Sequence, residues 1–318
     1  MTRVLLTGGT GFVGGALCLS LQAAGYRVRV ATRKAGMVIP GSSEQSVVGD
    51  IGASTDWQAA LEGVDFVVHA AARAHRVNDP IENAGQYTAT NAEGTACLAT
   101  AAARSGARRL LFLSSVKVNG EESNRAYTAH DEPEPQGAYA QSKWLAEQRL
   151  NEIAARTGME TVIVRPPLVY GPGVRANFLR LMRWVAAGYP LPLGSVVNRR
   201  SLVSVWNLCD LLVHALEVPA AANATWLVSD GDDLSTPDLV RRIASAMHRP
   251  ARLFPVPESV LRTLGKLTGQ QAAVSRLCGS LRVDIEPTRT VLGWSPITSV
   301  EEGLSRTVAW YLSVGRQC

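Results

Sequence analysis

The chain has 318 residues, 46% of them hydrophobic and 19% charged, with a net charge of +5 and a pI near 9.1. That length can bury a large core, so one large domain with a smaller lobe is expected, and the apolar runs stop well short of the roughly 20 residues of a membrane helix. Five cysteines without a C-x-x-C pair and five dispersed histidines argue against a disulfide framework and a metal centre, and scattered basic residues argue against a nucleic-acid partner.

The N-terminus opens directly on a strand, Arg3 to Thr7, which leaves no room for a signal peptide and predicts a cytoplasmic protein. Further strands are predicted at Arg27 to Thr32, Ser46 to Val48, Asp65 to Ala70, Arg109 to Ser114 and Thr161 to Arg165. Helices fill the gaps at Gly14 to Ala24, Trp57 to Leu61, Ala89 to Ser105 and Ala140 to Arg156. Gly25, Gly63, Gly106 and Gly158 are placed to end those helices. Alternation of this kind predicts an α/β fold, a doubly wound parallel sheet of the Rossmann type, over residues 1–170. Beyond Arg165 repeated Pro and Gly predict loops, then a short strand near Leu202 to Val205 in a segment, 200–217, that returns to the first domain. Thr236 to Met247, Pro257 to Leu267 and Val300 to Ser313 read as helices of a C-terminal lobe within 171–318, the substrate-binding part.

The first strand runs into Gly8, Gly11 and Gly14 and then a helix. Gly8 would let the chain turn, Gly11 would bring backbone close to a pyrophosphate, and Gly14 would let helix and strand touch. A helix N-terminus there offers free N–H groups to phosphates, so the segment reads as a dinucleotide site. The second strand ends at Thr32 and Arg33, without the carboxylate that binds an NAD ribose, so NADP(H) is favoured over NAD(H). Asp50 follows the third strand, within reach of the adenine. Ala70, Ala71 and Ala72 end the fourth strand with small residues beside the dinucleotide.

Tyr139 and Lys143 lie one helical turn apart on one face. With four lysines in the chain, composition alone gives about 0.1 such pairs by accident. A phenol titrating near 10 needs about 4 kcal/mol of help to act near neutrality, and a cation about 5 Å away contributes about 3 kcal/mol. Ser115, at the end of the fifth strand, is placed to hydrogen-bond a reacting oxygen.

These residues, in this order, resemble the extended short-chain dehydrogenases/reductases, in particular the NAD-dependent epimerase/dehydratase branch. The resemblance spans essentially the whole chain and includes Thr7 to Gly14, His69 to Ala72, Asn91 to Thr95, Ser114-Ser115 and Tyr139 with Lys143. It implies that Tyr139 is the general acid/base, that Lys143 tunes it and binds the nicotinamide ribose, and that Ser115 orients the substrate. It also implies cofactor contacts at Phe12, Val13, Ile51, Asn91 and Pro166. Asn177 and Arg200 match the family's contacts to a sugar nucleotide's diphosphate. Leu168, where 4-epimerases often carry asparagine, departs from the pattern, and no second diphosphate arginine aligns near Arg282.

The sugar-nucleotide 4,6-dehydratases carry an acid/base pair directly after the catalytic Ser or Thr, where this chain has Val116 and Lys117. That leaves reductase and 4-epimerase. Ser114 to Gly120, together with Ala72 to His75, resembles bacterial O-antigen enzymes that reduce a UDP-linked 4-keto-6-deoxy-N-acetylhexosamine, which implies substrate contacts at Arg73 and Lys117. Arg33 favours this NADPH-linked reductase. A 4-epimerase with bound NAD is the alternative, and a non-catalytic dinucleotide-sensing regulator is a third class that the intact Ser115, Tyr139 and Lys143 argue against. The implied partner is a UDP-sugar, and a homodimer is the family's common assembly.

Overall fold

The computed structural model describes residues 1–73 and 84–315. Seven strands form one parallel sheet: β1 (Arg3–Thr7), β2 (Arg27–Thr32), β3 (Glu44–Val47), β4 (Phe66–His69), β5 (Arg109–Leu113), β7 (Glu160–Arg165) and β10 (Ala224–Leu227), in the order β10-β7-β5-β4-β1-β2-β3. Both faces are covered, so the strands are apolar on both sides. Val4 and Leu6 of β1 face one core while Leu5 faces the other. The first core is closed by α1 (Phe12–Ala23) and α7 (Val205–His214), the second by α2 (Gln58–Leu61), α4 (Gly94–Arg104) and α5 (Gly137–Thr157).

Strand order reverses between β1 and β4, since β2 and β3 build outward on one side and β5 on the other. Their carboxyl ends therefore part to leave a crevice, with Thr7 of β1 in register with His69 of β4. Before α4 the chain makes a short helix, α3 (Ala84–Tyr87), and a π-helical turn over Thr88–Glu93. Such turns commonly mark functional sites. Gly25, Gly63, Gly106 and Gly158 all have positive φ, as helix-ending glycines require.

One expectation is corrected. The Pro- and Gly-rich stretch after Arg165 holds a three-turn helix, α6 (Ala176–Ala187), ended by Gly188 in the left-handed region. The 200–217 segment packs on the first core through Val203 and α7, while β9 (Leu202–Ser204) pairs with β8 (Leu168–Tyr170) outside the main sheet, and a further strand, β10, joins the sheet itself. β10 carries one large aromatic, Trp226, between Thr225 and Leu227, too brief an apolar run to stand out from sequence. The C-terminal elements α8 (Thr236–Ala246), α9 (Glu258–Leu267), α10 (Gln271–Cys278), α11 (Glu286–Leu292) and α12 (Val300–Gly315) follow, and α8, α12 and α6 share a third apolar core built on Met182, Ile243 and Leu304. A two-stranded pairing of β6 (Ala126–Tyr127) with β11 (Arg282–Val283) joins this part to the loop after β5.

Candidate active site

The glycine turn is built tightly around the crevice. Gly8 has φ +77°, and a Cβ on it would stand 2.6 Å from the amide nitrogen of Ala71. A Cβ on Gly14 would stand 2.1 Å from the carbonyl oxygen of Gly8, so α1 can approach β1 only because residue 14 is glycine. Gly11 is different: its φ of −85° is open to any residue and its N–H donates to Gly8 O at 2.8 Å. A Cβ there would meet only Gly8 O, at 3.2 Å, and would otherwise project into the cradle at the helix start. No side chain caps α1 and no acidic residue stands in its first turn, which leaves its N–H groups and partial positive charge to an anionic ligand. Thr32, at the end of β2, is buried, and its Oγ1 has no hydrogen-bond partner among the described residues. A phosphate cradle and an orphaned hydroxyl at the ribose end fit a dinucleotide.

Arg33 extends into solvent, 77% exposed, and its Nη1 lies 3.7 Å from Asp50 Oδ1, itself 90% exposed. Ile51 packs against Gly94 of α4, where a Cβ would come within 2.6 Å of it. Phe12 and Val13 pack onto the first core, and Pro166 accepts a hydrogen bond at 3.0 Å from Val116 N, which pins the loop carrying Ser115.

Ser115, Tyr139 and Lys143 are brought together at the carboxyl end of β5. A hydrogen bond joins Ser115 to Tyr139, and Tyr87 stands edge-on to the Tyr139 ring at 6.3 Å. Lys143 is buried, donates to Leu113 O at 2.7 Å and lies 4.4 Å from the centre of the Phe112 ring. Burial pushes the Tyr139 phenol up to about 12, against the Ser115 hydrogen bond that lowers it. Burial also pulls Lys143 down to about 7, and Glu147 one turn further along α5 opposes that shift. The expected lowering of the phenol by Lys143 alone is therefore absent: the ammonium is engaged by Leu113, and desolvation outweighs it.

Asn91, in the π-helical turn, is buried and fastens three parts of the crevice. Its Oδ1 accepts from Arg73 N at 2.7 Å, and its Nδ2 donates to Arg73 O at 3.2 Å and to Ser142 Oγ at 3.0 Å. Ser142 in turn donates to Tyr139 O at 2.8 Å. The side chain is spent on this bracing, which makes Asn91 a positioning residue for α5. Arg73 lies over the Tyr87 ring at 5.2 Å. The backbone of Ala70 and Ala71 lies against Gly8 and Ala72 is exposed, whereas Ala74 and His75 lie outside the described residues.

A second cavity, of about 110 Å³, opens between α6, α8 and α10. Its walls include Asn177 and Arg200, as expected, and also Arg180 and Arg276. Arg276, on α10, thus shares a cavity with Arg200, whereas Arg282 bonds to Asn124 O on an exposed surface. Burial lowers the Arg200 guanidinium, while Glu122 and Glu121 raise it, and its Nη1 donates to Gly279 O at 2.8 Å. A desolvated guanidinium in a concave wall suits an anion of matching depth. Lys117 points elsewhere, into a 2.5 Å ion pair with Glu121, and Val116 is buried. Tyr87 and Arg276 carry no local signature in the sequence, since folding alone sets them against the site.

Among the described residues no group of His, Cys, Asp and Glu is arranged to hold a metal, and no helix is long and apolar enough to cross a membrane. The family model of the NAD dependent epimerase/dehydratase family matches residues 4–228. The chain is 44% identical to a UDP-glucose 4-epimerase of Vibrio cholerae, over 99% of its own length and 97% of the relative's. It is 28% identical to the N-acetyl-alpha-D-glucosaminyl-diphospho-ditrans,octacis-undecaprenol 4-epimerase of Escherichia coli O157:H7, over 97% and 95%. Among solved structures, MoeE5 in complex with UDP-glucose and NAD superposes with a TM-score of 0.78 at 25% identity, covering 98% of this chain and 99% of that one. The dTDP-glucose 4,6-dehydratase DesIV of Streptomyces venezuelae, with NAD bound, gives 0.79 at 26% identity, over 98% and 97%.

Proposed function

The chain belongs to the NAD dependent epimerase/dehydratase family, and from that premise we propose that it is a 4-epimerase of a hexose carried on a diphosphate, working with a retained NAD. The observation that carries this reading is the Ser115–Tyr139 hydrogen bond at the sheet's carboxyl edge, beside a glycine cradle, in a loop with no second proton carrier. Val116 is buried and Lys117 is committed to Glu121, so the proton transfers of a dehydratase have no agents there. The 44% identity to a 4-epimerase over the whole chain favours the same reading.

Gly8, Gly11, Gly14 and Thr32 would hold NAD, which when bound would supply a hydride acceptor and donor. Tyr139 takes the proton from the C4 hydroxyl oxygen and later returns it to the same oxygen. Ser115 donates to that oxygen and keeps it in line with the phenol. Lys143, fixed by Leu113 O, would hold a ribose hydroxyl. Arg200 and Arg276 grip the diphosphate, so the sugar alone is free to turn and present its other face. The names of the full-length relatives supply two carriers for such a sugar, a nucleoside and undecaprenol.

A second reading, reduction of a UDP-linked 4-keto-6-deoxy-N-acetylhexosamine with NADPH, is favoured by one feature, the exposed Arg33 where a ribose-binding carboxylate would stand. The two separate cleanly in one experiment. Protein purified without added cofactor is mixed with UDP-glucose, UDP-N-acetylglucosamine or a prenyl-diphosphate N-acetylglucosamine, and each is analysed for its C4 epimer. Epimer formation, with NAD released on denaturation, supports the 4-epimerase. NADPH oxidation by the 4-keto sugar, with no epimer from any of the three, refutes it in favour of the reductase.

A further inference from the structure

Beside the two-arginine cavity lies a third, of about 270 Å³, between the 189–193 segment, α9 and α10. The two share Trp184 and Leu277 as walls, and α10 is the partition: Ala273 and Arg276 face the diphosphate side, Val274 and Cys278 the other. A group attached to a diphosphate held by Arg200 and Arg276 therefore has this cavity as its next compartment. At about 30 Å³ for each carbon-sized group it holds about nine of them, enough for a pyrimidine or for about two isoprene units.

The lining decides between those two. No polar atom faces the interior, which is closed by Leu191, Leu193, Leu261 and Val274. Four backbone groups of this wall are already paired: Leu191 N with Arg252 O at 2.8 Å, Leu191 O with Phe254 N at 3.1 Å, Gly194 N with Phe254 O at 3.0 Å and Leu193 O with Val196 N at 3.1 Å. A base buried there would leave its amide edge unsatisfied, which is costly. A hydrocarbon loses nothing.

The rim continues the same chemistry. Val260, Leu264 and Leu267 of α9 follow one another at helical spacing and are 45%, 51% and 79% exposed, one quarter-turn from the buried Leu261 and Gly265. Phe254 and Tyr189 beside the cavity are also exposed, and Arg249 and Arg252 stand next to them, bonded to the carbonyls of Ala186 and Gly188. Apolar and aromatic residues bordered by cations are the composition of a helix that lies on a bilayer surface without crossing it.

Resting on the 4-epimerase reading, we infer that the sugar's carrier is a polyprenyl diphosphate: Arg200 and Arg276 hold the diphosphate, the apolar cavity takes the first isoprene units, and the rest of the chain leaves over α9 towards the membrane. Calorimetric binding of farnesyl diphosphate and of UDP to the purified NAD-bound protein tests the carrier without requiring turnover. Farnesyl diphosphate is expected to bind at least tenfold more tightly than UDP. Val274→Asn, a change of similar volume that puts an amide into the cavity wall, is expected to weaken farnesyl diphosphate at least tenfold while leaving inorganic diphosphate within twofold. Tighter binding of UDP, or farnesyl diphosphate affinity unmoved by Val274→Asn, overturns the inference. Epimerisation of a UDP-sugar alongside such a result leaves the 4-epimerase reading standing. Conversely, tight farnesyl diphosphate binding with no epimer from any sugar supports the carrier and sinks the epimerase.

Discussion

Acid should unfold this protein through one imidazole. His69, 1% exposed at the end of β4, has both ring nitrogens occupied, and the neighbouring protons fix its tautomer. Thr95 gives its hydroxyl proton to Asn91 O at 2.6 Å and can therefore only accept from His69 Nε2 at 2.9 Å. Thr7 accepts from Ala71 N at 3.1 Å and gives its own proton to His69 Nδ1 at 2.7 Å. The ring is neutral, with its proton on Nε2, and a second proton has no acceptor. Burial, helped by the charge of Lys143, accordingly pulls His69 from 6.5 down to about 3. Because the folded value is depressed, the unfolded chain binds a proton that the folded one refuses between those limits. Stability is thus full above about 6.5 and falls as the pH drops towards 3. At up to about 1.4 kcal/mol per unit, acidification from about pH 6.5 to about pH 4.5 removes about 2 kcal/mol. Urea unfolding followed by the fluorescence of the seven tryptophans measures this. His69→Gln keeps a donor for Thr95 and cannot titrate. It should cost about 1–3 kcal/mol near pH 7, by depriving Thr7 of its acceptor, yet lose about 2 kcal/mol less than the parent over the same acid interval. Parallel losses in parent and variant would refute the assignment.

Tyr139→Phe should lower kcat by about 10²–10⁴-fold with little change in KM or in the NAD that co-purifies, as steady-state assays and absorbance of the released nucleotide would show. The two adjacent glycines of α1 should respond with opposite signs in thermal unfolding. Gly14→Ala drives a methyl into Gly8 O and lowers Tm, whereas Gly15→Ala, whose Cβ meets nothing closer than 3.5 Å, gains about 0.5–1 kcal/mol from helix propensity. Arg276→Ala should raise KM for the diphosphate-linked sugar at least about tenfold with kcat largely kept, the signature of lost ground-state binding. Glu147→Gln should cost about 3–5 kcal/mol in urea unfolding, since it strands Arg165, 3% exposed and paired at 2.5 Å, as an unpaired buried charge.

What the sequence discloses and what it hides divide along physical lines. The parallel sheet was legible because its strands are short apolar runs and its helices end in glycines that need positive φ, both local signals. The glycine cradle and the Tyr139–Lys143 pair were legible for the same reason: spacing along one element fixes their geometry. Arg276 was not, because its meaning comes from Arg200, on a different element and brought close only when α10 folds across β9. Nor was the bracing by Asn91: three hydrogen bonds to Arg73 and Ser142 tie the π-helical turn to the segment after β4 and to α5, and both partners are remote in sequence. β10 was hidden for a further reason, that a sheet-edge strand of four residues needs little apolar pattern of its own when Val162 and Val164 lie beside it.

The charge state of the crevice was hidden most completely, because it depends on burial. A phenol raised to about 12, an imidazole lowered to about 3 and an ammonium lowered to about 7 are three groups each driven towards its neutral form by the same desolvation. Lys143 is the one of the three whose charge changes near neutrality, and it is also the charge that helps keep His69 unprotonated. Glu147 favours the ammonium from one turn along α5, while its own charge is largely spent on Arg165. An anionic dinucleotide docking at the glycine turn is expected to bias Lys143 towards its charged form, and a charge favoured in this way opposes protonation of His69 further, so cofactor binding and the neutrality of the buried imidazole are coupled through one lysine.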